Sequence, residues 1–553
     1  MNYVLYHEFN LDARWYEPTS ENDGQDTRLD PILVARCLDI SRVVSCNGPF
    51  SNMPFMNVCR ERLTNGFSPL LTSQVDLPQQ NTTAFEASFA SLVEWRVACR
   101  ISQDSKVTSR YFEVEKKERL TRAILDLRVL NDSLPRPPPL RLVTPADLVS
   151  LFCFFGPRAS IATFDMRHWF YQFGLHHGDQ NLVVFSCGRH RWKFCCLPMG
   201  LSWSPFIAQS ALWGMLLANT TWMTISHGSW NNEGPPAFVE LQKNNRTFAI
   251  VALLYDNVAV IADCSVTRDV IIKKMKTNLD HCHAIIKDEI VLDDGKYLGI
   301  DFRLKDDGLT WSHLESNISR WSKWPHPSPQ LTKKEFLRYG GVLLWDAIVR
   351  GEFLTHLRWL ILWMSDLGSR DMDQVMLAPR ELNSAWKELL ISKPQFRRYG
   401  HSIPDGTIFA CSDACLKGWG IIIWRNGAVE EYCGEWEESR QGLHINTLET
   451  IVACDAVRRC GTDAYIVLGV DNTTAISAIK RRMHENILIH EAVATLGEAH
   501  ILVVHIPTAV QAADPLSRGE EMDPSRNRET LRILECEELI RRGQALKKRS
   551  RND

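Results

Sequence analysis

Six acidic residues stand in this chain where the neighbouring pattern suits metal ligands. Four lie in the last third: Asp413 in CSDACLKGWG, Glu449 in INTLET, Asp471 in LGVDNTTA and Asp514 in AADPLSR. Magnesium prefers octahedral oxygen coordination and keeps several waters, so two such ions on one scissile phosphate need oxygen ligands converging from separate elements. A strand-borne Asp413, a helix-borne Glu449 and two further acids at strand or helix ends meet that need. A second pair lies upstream. Asp165 in ATFDMRHWFYQFGLH follows the apolar run ASIATF, and Asp256-Asn257 makes a polar turn between the apolar halves of FAIVALLYDNVAVIA, a hairpin by pattern. A carboxylate at a strand end facing one at a hairpin tip would form a two-metal site for in-line phosphoryl transfer. An Asp after a buried strand is most often a turn residue or a cap. What favours chemistry here is the company of CCLPMGLSWSPFIAQ and KKERLTRAILDLRVLN in the same stretch.

The elements that must position these residues fall into five parts. Residues 1–95 show short apolar segments broken by Asn, Gln, Ser and Pro, with no assignable motif. Over 96–310, β-rich runs alternate with helical ones; RPPPL at 136–140 reads as a rigid extended connection, and the polar, Gly/Pro-containing 227–245 as a surface excursion. Residues 311–404 are helix-rich and carry many tryptophans, and LTKKEFLRYGGVLLWDAIV has apolar spacing near 3.6, opened by Thr332 and Glu335 as a capping box. Over 405–518 the pattern predicts two or three strands with an RNG turn, then helix, strand, helix and strand: a mixed sheet flanked by helices. Residues 519–553 read as a charged helix ending in a basic tail.

Composition limits the possibilities. At 553 residues, 45% hydrophobic and 23% charged, the chain has ordinary globular composition and room for two to four domains. A formal charge of −3 gives no whole-chain attraction to a polyanion, so nucleic-acid binding would rest on local basic surface. The candidates are Lys116, Lys117, Arg119 and Arg122, then Lys480-Arg481-Arg482, then Arg541 to Arg551. Sixteen cysteines without a CxxC pair argue against a zinc ribbon or a secreted disulfide framework and suit a reducing compartment. The His281-Cys282-His283 cluster, with Cys264 upstream, is unlike common zinc spacings. No apolar run reaches membrane-spanning length and the N-terminus lacks a basic-then-apolar pattern, so the expectation is an intracellular protein of cytoplasm or nucleus.

The succession RAILDLRVLN, FDMRHWFYQF, LPMGLSWSPFIAQ, LYDN and KYLGIDF resembles the fingers and palm motifs of reverse transcriptases, and SDACLKGWG, HINTLE, VDNTTAISAI and HIP with AADPLSR resemble their ribonuclease H. Within that family the chain is most similar to the DIRS/Ngaro type of retrotransposon, above all to the VIPER elements of kinetoplastids. The resemblance covers residues 95 to 518. It implies an α/β protein: right-hand polymerase fingers, palm and thumb, followed by a ribonuclease H-like mixed sheet flanked by helices. The activity implied is RNA-directed DNA polymerisation with ribonuclease H cleavage. The cofactor would be Mg²⁺ or Mn²⁺, and the partners an RNA template, a DNA primer, an RNA–DNA hybrid and deoxyribonucleoside triphosphates.

Residue by residue, the resemblance makes Asp165 and Asp256 the palm's metal ligands and Asp413, Glu449, Asp471 and Asp514 the nuclease's. Phe170 matches the steric gate against a 2′-hydroxyl, with Tyr171 beside it. Arg122 and Lys116 or Lys117 match the cations that neutralise the triphosphate, a task that suits guanidinium geometry. Gly200 matches a position of close backbone approach, Met199 a neighbouring nucleotide-site position, and Lys287 a residue protonating the leaving group. His505 matches a histidine assisting product departure. One departure stands out. The family's hairpin tip is Tyr-x-Asp-Asp, whereas this chain reads Leu254-Tyr255-Asp256-Asn257. An amide in place of the second acid leaves two readings open: a working polymerase with a tolerant second position, or a decayed or repurposed protein that binds nucleic acid through an inert palm.

Overall fold

The computed structural model describes residues 28–29 and 35–535, apart from 72–88, 144–150, 226–233, 392–396, 399–405 and gaps of one to four residues. Lys116, Lys117, Arg119 and the basic 541–551 run lie outside the described residues.

Two antiparallel strands, β1 (Arg110–Glu115) and β2 (Leu120–Asp126), pair with Val114 opposite Arg122. The first carboxylate-bearing sheet follows. It consists of β3 (Ser160–Asp165), β4 (Met223–Ile225), β5 (Phe238–Lys243), β6 (Arg246–Leu254), β7 (Asn257–Ala262) and β8 (Val291–Leu292), all antiparallel, in the order β8-β3-β7-β6-β5-β4. The unbroken apolar runs of its central strands have a physical cause. Side chains alternate between the faces of a strand, and both faces here are covered. Ala162, Phe164, Val251, Leu253, Val258 and Val260 enter one core, whereas Ile161, Ile250, Ala252, Ala259 and Ile261 enter another. The helices α1 (Pro54–Asn65), α2 (Ser204–Leu216) and α3 (Ser265–His281) belong to the first of these cores.

One reading of this part needs correction. The 227–245 segment is not wholly an excursion, because Phe238–Lys243 is β5, with Val239 and Leu241 fully buried. Its polar letters misled: Glu240 and Gln242 are buried too, joined to each other and to Thr247 by hydrogen bonds within the sheet. Within 1–95, where the sequence offers no motif, Phe50, Phe55, Met56, Cys59 and Phe67 join the first core.

The helical region contains α4 (Lys333–Arg350), opened by the expected capping box: the Glu335 N–H donates to Thr332 Oγ1 at 3.2 Å and the Thr332 N–H to Glu335 Oε2 at 2.8 Å. Its core, built on Phe336, Leu360, Leu382 and Trp386, also takes in Met483 from the last third of the chain. Arg358 donates to the carbonyls of His484 and Glu485, tying the two parts together.

The second carboxylate-bearing sheet has β9 (Ile408–Ala414), β10 (Gly418–Arg425), β11 (Ala428–Glu435), β12 (Tyr465–Val470) and β13 (His500–His505) in the order β11-β10-β9-β12-β13. The first three run antiparallel and the last two parallel to β9, which gives the expected mixed sheet. Asn426 and Gly427, both at positive φ, make the tight turn between β10 and β11. One face is covered by α5 (Ile445–Cys460) and α6 (Thr473–Arg481), the other by α7 (Ala513–Ser517) and α8 (Pro524–Leu534). The charged helix expected after residue 519 is α8, and its fully buried Leu534 contributes to this core. No helix among the described residues is long and apolar enough to cross a membrane.

Candidate active sites

In the first sheet the register fixes the acids. Asn257 on β7 lies opposite Asp165, the last residue of β3, and Tyr255-Asp256 forms the two-residue turn from β6. Tyr255 takes φ +55°, a conformation rare for a bulky side chain. Its N–H donates to Oε1 of the buried Gln209 on α2, which helps to hold the turn. The Met166 N–H donates to the Asp256 carbonyl and the Lys287 N–H to the Asp165 carbonyl, so both acids are pinned at the backbone.

Their side chains are less evenly satisfied. Lys287 Nζ lies 3.2 Å from Asp165 Oδ2, while Asp165 Oδ1 is buried without a hydrogen-bond partner. Asn257 Nδ2 donates to Asp256 Oδ1 at 3.0 Å, and the Asn257 carbonyl accepts from the Tyr297 hydroxyl. Burial, and then the Asp165 charge, push Asp256 up to about 7, with the Arg122 charge opposing them. Arg122 is itself an exposed residue of β2. Gly200 is set against the same strand at φ +111°, and a Cβ there would come within 2.1 Å of the Leu125 carbonyl oxygen. Met199 is half-buried and accepts the Leu125 N–H through its carbonyl.

The two aromatics after Asp165 part company. Phe170 is half-buried, whereas Tyr171 is 4% exposed and directs its hydroxyl to the Ala123 carbonyl at 3.4 Å. Tyr171 is therefore a packing residue under β2, not a surface for a nucleotide. A correction applies to the basic run after Asp471 as well: Arg482 is 2% exposed and donates to the Ala499 carbonyl, which makes it part of the interior.

In the second sheet Asp413 is carried near the end of β9, Glu449 in the first turns of α5 and Asp471 just past β12. One oxygen from each lies within 4.8 Å of the others, and this is the one such group of three or more acids, histidines or cysteines found among the described residues. Glu449 Oε2 and Asp471 Oδ1 are buried with no hydrogen-bond partner, as oxygens facing a cation would be. Asp413 Oδ2 accepts from the Ser517 hydroxyl at 2.6 Å, and Asp471 Oδ2 from Thr508 at 2.9 Å. Burial first, and then the neighbouring acids, raise Glu449 to about 9; burial also lifts Asp413 to about 7. Crowded carboxylates that resist ionisation together suit a site completed by a cation.

Asp514 does not join that trio in the structure. Its Oδ1 accepts from Arg518 at 2.7 Å and its Oδ2 from Arg526 at 2.8 Å, so both oxygens are taken. His505 ends β13 opposite Val470, the residue before Asp471, and is half-buried. In the His281-Cys282-His283 cluster, Cys282 faces Cys46 and His283 lies beside Arg42.

Sequence reading missed Gln209, Tyr297, Ser517, Arg518 and Arg526. Ser517 and Arg518 sit inside the AADPLSR phrase, Gln209 ends LPMGLSWSPFIAQ and Tyr297 lies in KYLGIDF, so each of these had a signal, whereas Arg526 reaches its site only through tertiary contact.

No family model matches the chain, and no curated protein does. Among solved structures it is similar to a foamy viral protease-reverse transcriptase described in complex with double-stranded DNA, at 12% identity and a TM-score of 0.44, covering 89% of this chain and 84% of that one. It is also similar to the foamy viral protease-reverse transcriptase in complex with an RNA/DNA hybrid, at 13% identity and a TM-score of 0.44, covering 89% of this chain and 65% of that one. Similarity of this size transfers no residue role from one chain to the other.

Proposed function

We propose that the chain is an RNA-directed DNA polymerase with a ribonuclease H, the enzyme of a retrotransposon of DIRS/Ngaro type. The observation that carries this reading is the presence, on two separate sheets, of two carboxylate groups with buried, unpartnered oxygen: Asp165 Oδ1 beside Asp256, and Glu449 Oε2 and Asp471 Oδ1 beside Asp413. These oxygen-only donor sets fit Mg²⁺ or Mn²⁺, which when bound supplies Lewis-acid charge to phosphate oxygens.

The chain's own residues account for the rest. Arg122, whose charge is felt at Asp256, would neutralise the triphosphate, and the Gly200 backbone would lie close to template and nucleotide. The half-buried Phe170 would exclude a 2′-hydroxyl, so that deoxyribonucleotides are selected. Lys287, already on Asp165, would hold a proton for the departing pyrophosphate. In the nuclease, Ser517 orients Asp413, and His505 at the end of β13 would assist departure of the cut strand.

The test pairs two assays on one protein, primer extension on an RNA template and cleavage of an RNA–DNA hybrid. Asp256→Ala should lose extension and keep cleavage, and Asp413→Asn the reverse. A wild type that shifts the hybrid on a gel without cutting it or extending a primer is a binding protein. That second reading has its own observation in its favour: the Asn257 amide occupies Asp256 Oδ1, one of the oxygens a palm metal would need.

A further inference from the structure

Among the four nuclease acids, Asp514 is distinguished by a guanidinium on each of its oxygens. It is buried, 7% exposed, and each oxygen accepts from a different guanidinium: Arg518, one helical turn on, and Arg526 on α8. Both arginines reach solvent, their side chains being 56% and 31% exposed. The donors therefore divide. Asp413, Glu449 and Asp471 each bring an oxygen within 4.8 Å of the others, with Glu449 Oε2 and Asp471 Oδ1 unpartnered, whereas each Asp514 oxygen holds a charge-assisted hydrogen bond.

A divalent cation and two guanidiniums draw on the same buried pair of oxygens, and their like charges repel one another there. We infer that Arg518 and Arg526 form a latch on the second cation position of the nuclease. The free protein binds one divalent ion at Asp413, Glu449 and Asp471. A second ion binds when a backbone phosphate of the hybrid draws the arginines off Asp514. Phosphate is a fitting competitor, because the planar guanidinium fork pairs with phosphate as it does with carboxylate, and both side chains are within reach of solvent. The latch rests on the nuclease reading above and deepens it. Arg518 and Arg526 are positioning residues in this scheme, acting through Asp514, and the substrate itself completes the site.

The test counts bound Mn²⁺ by electron paramagnetic resonance on the full chain, with Asp165→Asn and Asp256→Asn silencing the palm. One ion is expected in the free protein, and two after Arg518→Gln with Arg526→Gln. Two are also expected when the arginine-intact protein meets an uncleavable 2′-O-methyl-RNA–DNA hybrid, counted against an Asp413→Asn protein carrying the same hybrid. Should the double variant fold poorly, Arg518→Gln alone, at the more exposed side chain, should strengthen second-ion binding about tenfold, the equivalent of one charged hydrogen bond.

Two ions in the free arginine-intact protein, or no gain on removing the arginines, overturns the latch. Asp413→Asn separates the two readings. It should abolish the first ion; retention of that ion overturns the nuclease site and the latch with it, whereas its loss without any gain in the arginine variants overturns the latch alone.

Discussion

At the hairpin tip the Asn257 amide donates to the carboxylate of Asp256. Replacing it with a second acid removes that donor and adds a charge beside the metal position, so Asn257→Asp should raise incorporation and lower the Mg²⁺ concentration needed for half-maximal primer extension. If Asn257→Asp leaves a silent polymerase silent while the nuclease still cuts, the palm is inert for another reason. Titration gives a second residue-scale expectation. Glu449 at about 9 and Asp413 at about 7 both bind protons more tightly folded than unfolded. Their contribution to metal-free stability is thus complete below the unfolded carboxylate range, roughly pH 4, and is lost as pH rises through those two values. In chelator, the thermal midpoint of the nuclease transition should fall from pH 5 to pH 9, and Glu449→Gln should flatten the fall. Added Mg²⁺ should stabilise more at pH 8.5 than at pH 6, since binding displaces protons. A wild-type midpoint in chelator that is flat across the range would contradict the crowding of these acids.

At the scale of elements, two turns bear unequal loads. Thr332→Ala removes the side chain that caps α4 and should cost about 0.5–2 kcal/mol in denaturant unfolding, leaving both activities in place. Gly200→Ala is the harsher change, because the position needs φ +111° and the added methyl would strike the Leu125 carbonyl of β2. The strand that bears Arg122 would have to move, so primer extension should suffer more than stability. The unfolding midpoint should fall further than with Thr332→Ala, and incorporation should drop by more than that fall accounts for. Equal losses in both measurements would mean that Gly200 matters for folding alone. Phe170→Ala probes the short helix after β3: a still-active variant should accept ribonucleotides, and unchanged discrimination would remove Phe170 as the gate.

Across the whole molecule, the two carboxylate sites lie on different sheets with separate cores and share no ligand. The helical region bridges toward the nuclease through Met483 in its core and through Arg358 on the carbonyls of His484 and Glu485. Met483→Ala with Arg358→Ala should loosen that junction, leaving short-hybrid cleavage intact. What should change is the spacing between the primer end being extended and the RNA cuts, which should become irregular on a long template. Cuts at unchanged spacing would show that the junction does not set their distance.

Much of the site was legible in the sequence because its causes are local. An acid after an unbroken apolar run, a polar pair between two such runs and a Thr-x-x-Glu before a helical period announced β3, the β6–β7 hairpin and the start of α4. Alternation of side chains on a strand makes a continuous apolar run the mark of a sheet covered on both faces, as the two cores around β3 bear out. Other features were decided only by tertiary structure. The polar β5 became a buried strand because Glu240, Gln242 and Thr247 satisfy one another there, a pairing that requires the sheet to exist first. Tyr171 and Phe170, adjacent and alike in sequence, were divided by which of them faced the interior under β2. Asp514 reads as a fourth ligand by its motif, yet Arg526, twelve residues away on another helix, reaches it only when α8 packs on the sheet. Chain order fixes which acids exist and which elements carry them; packing brings in the distant charges that decide whether their oxygens are open.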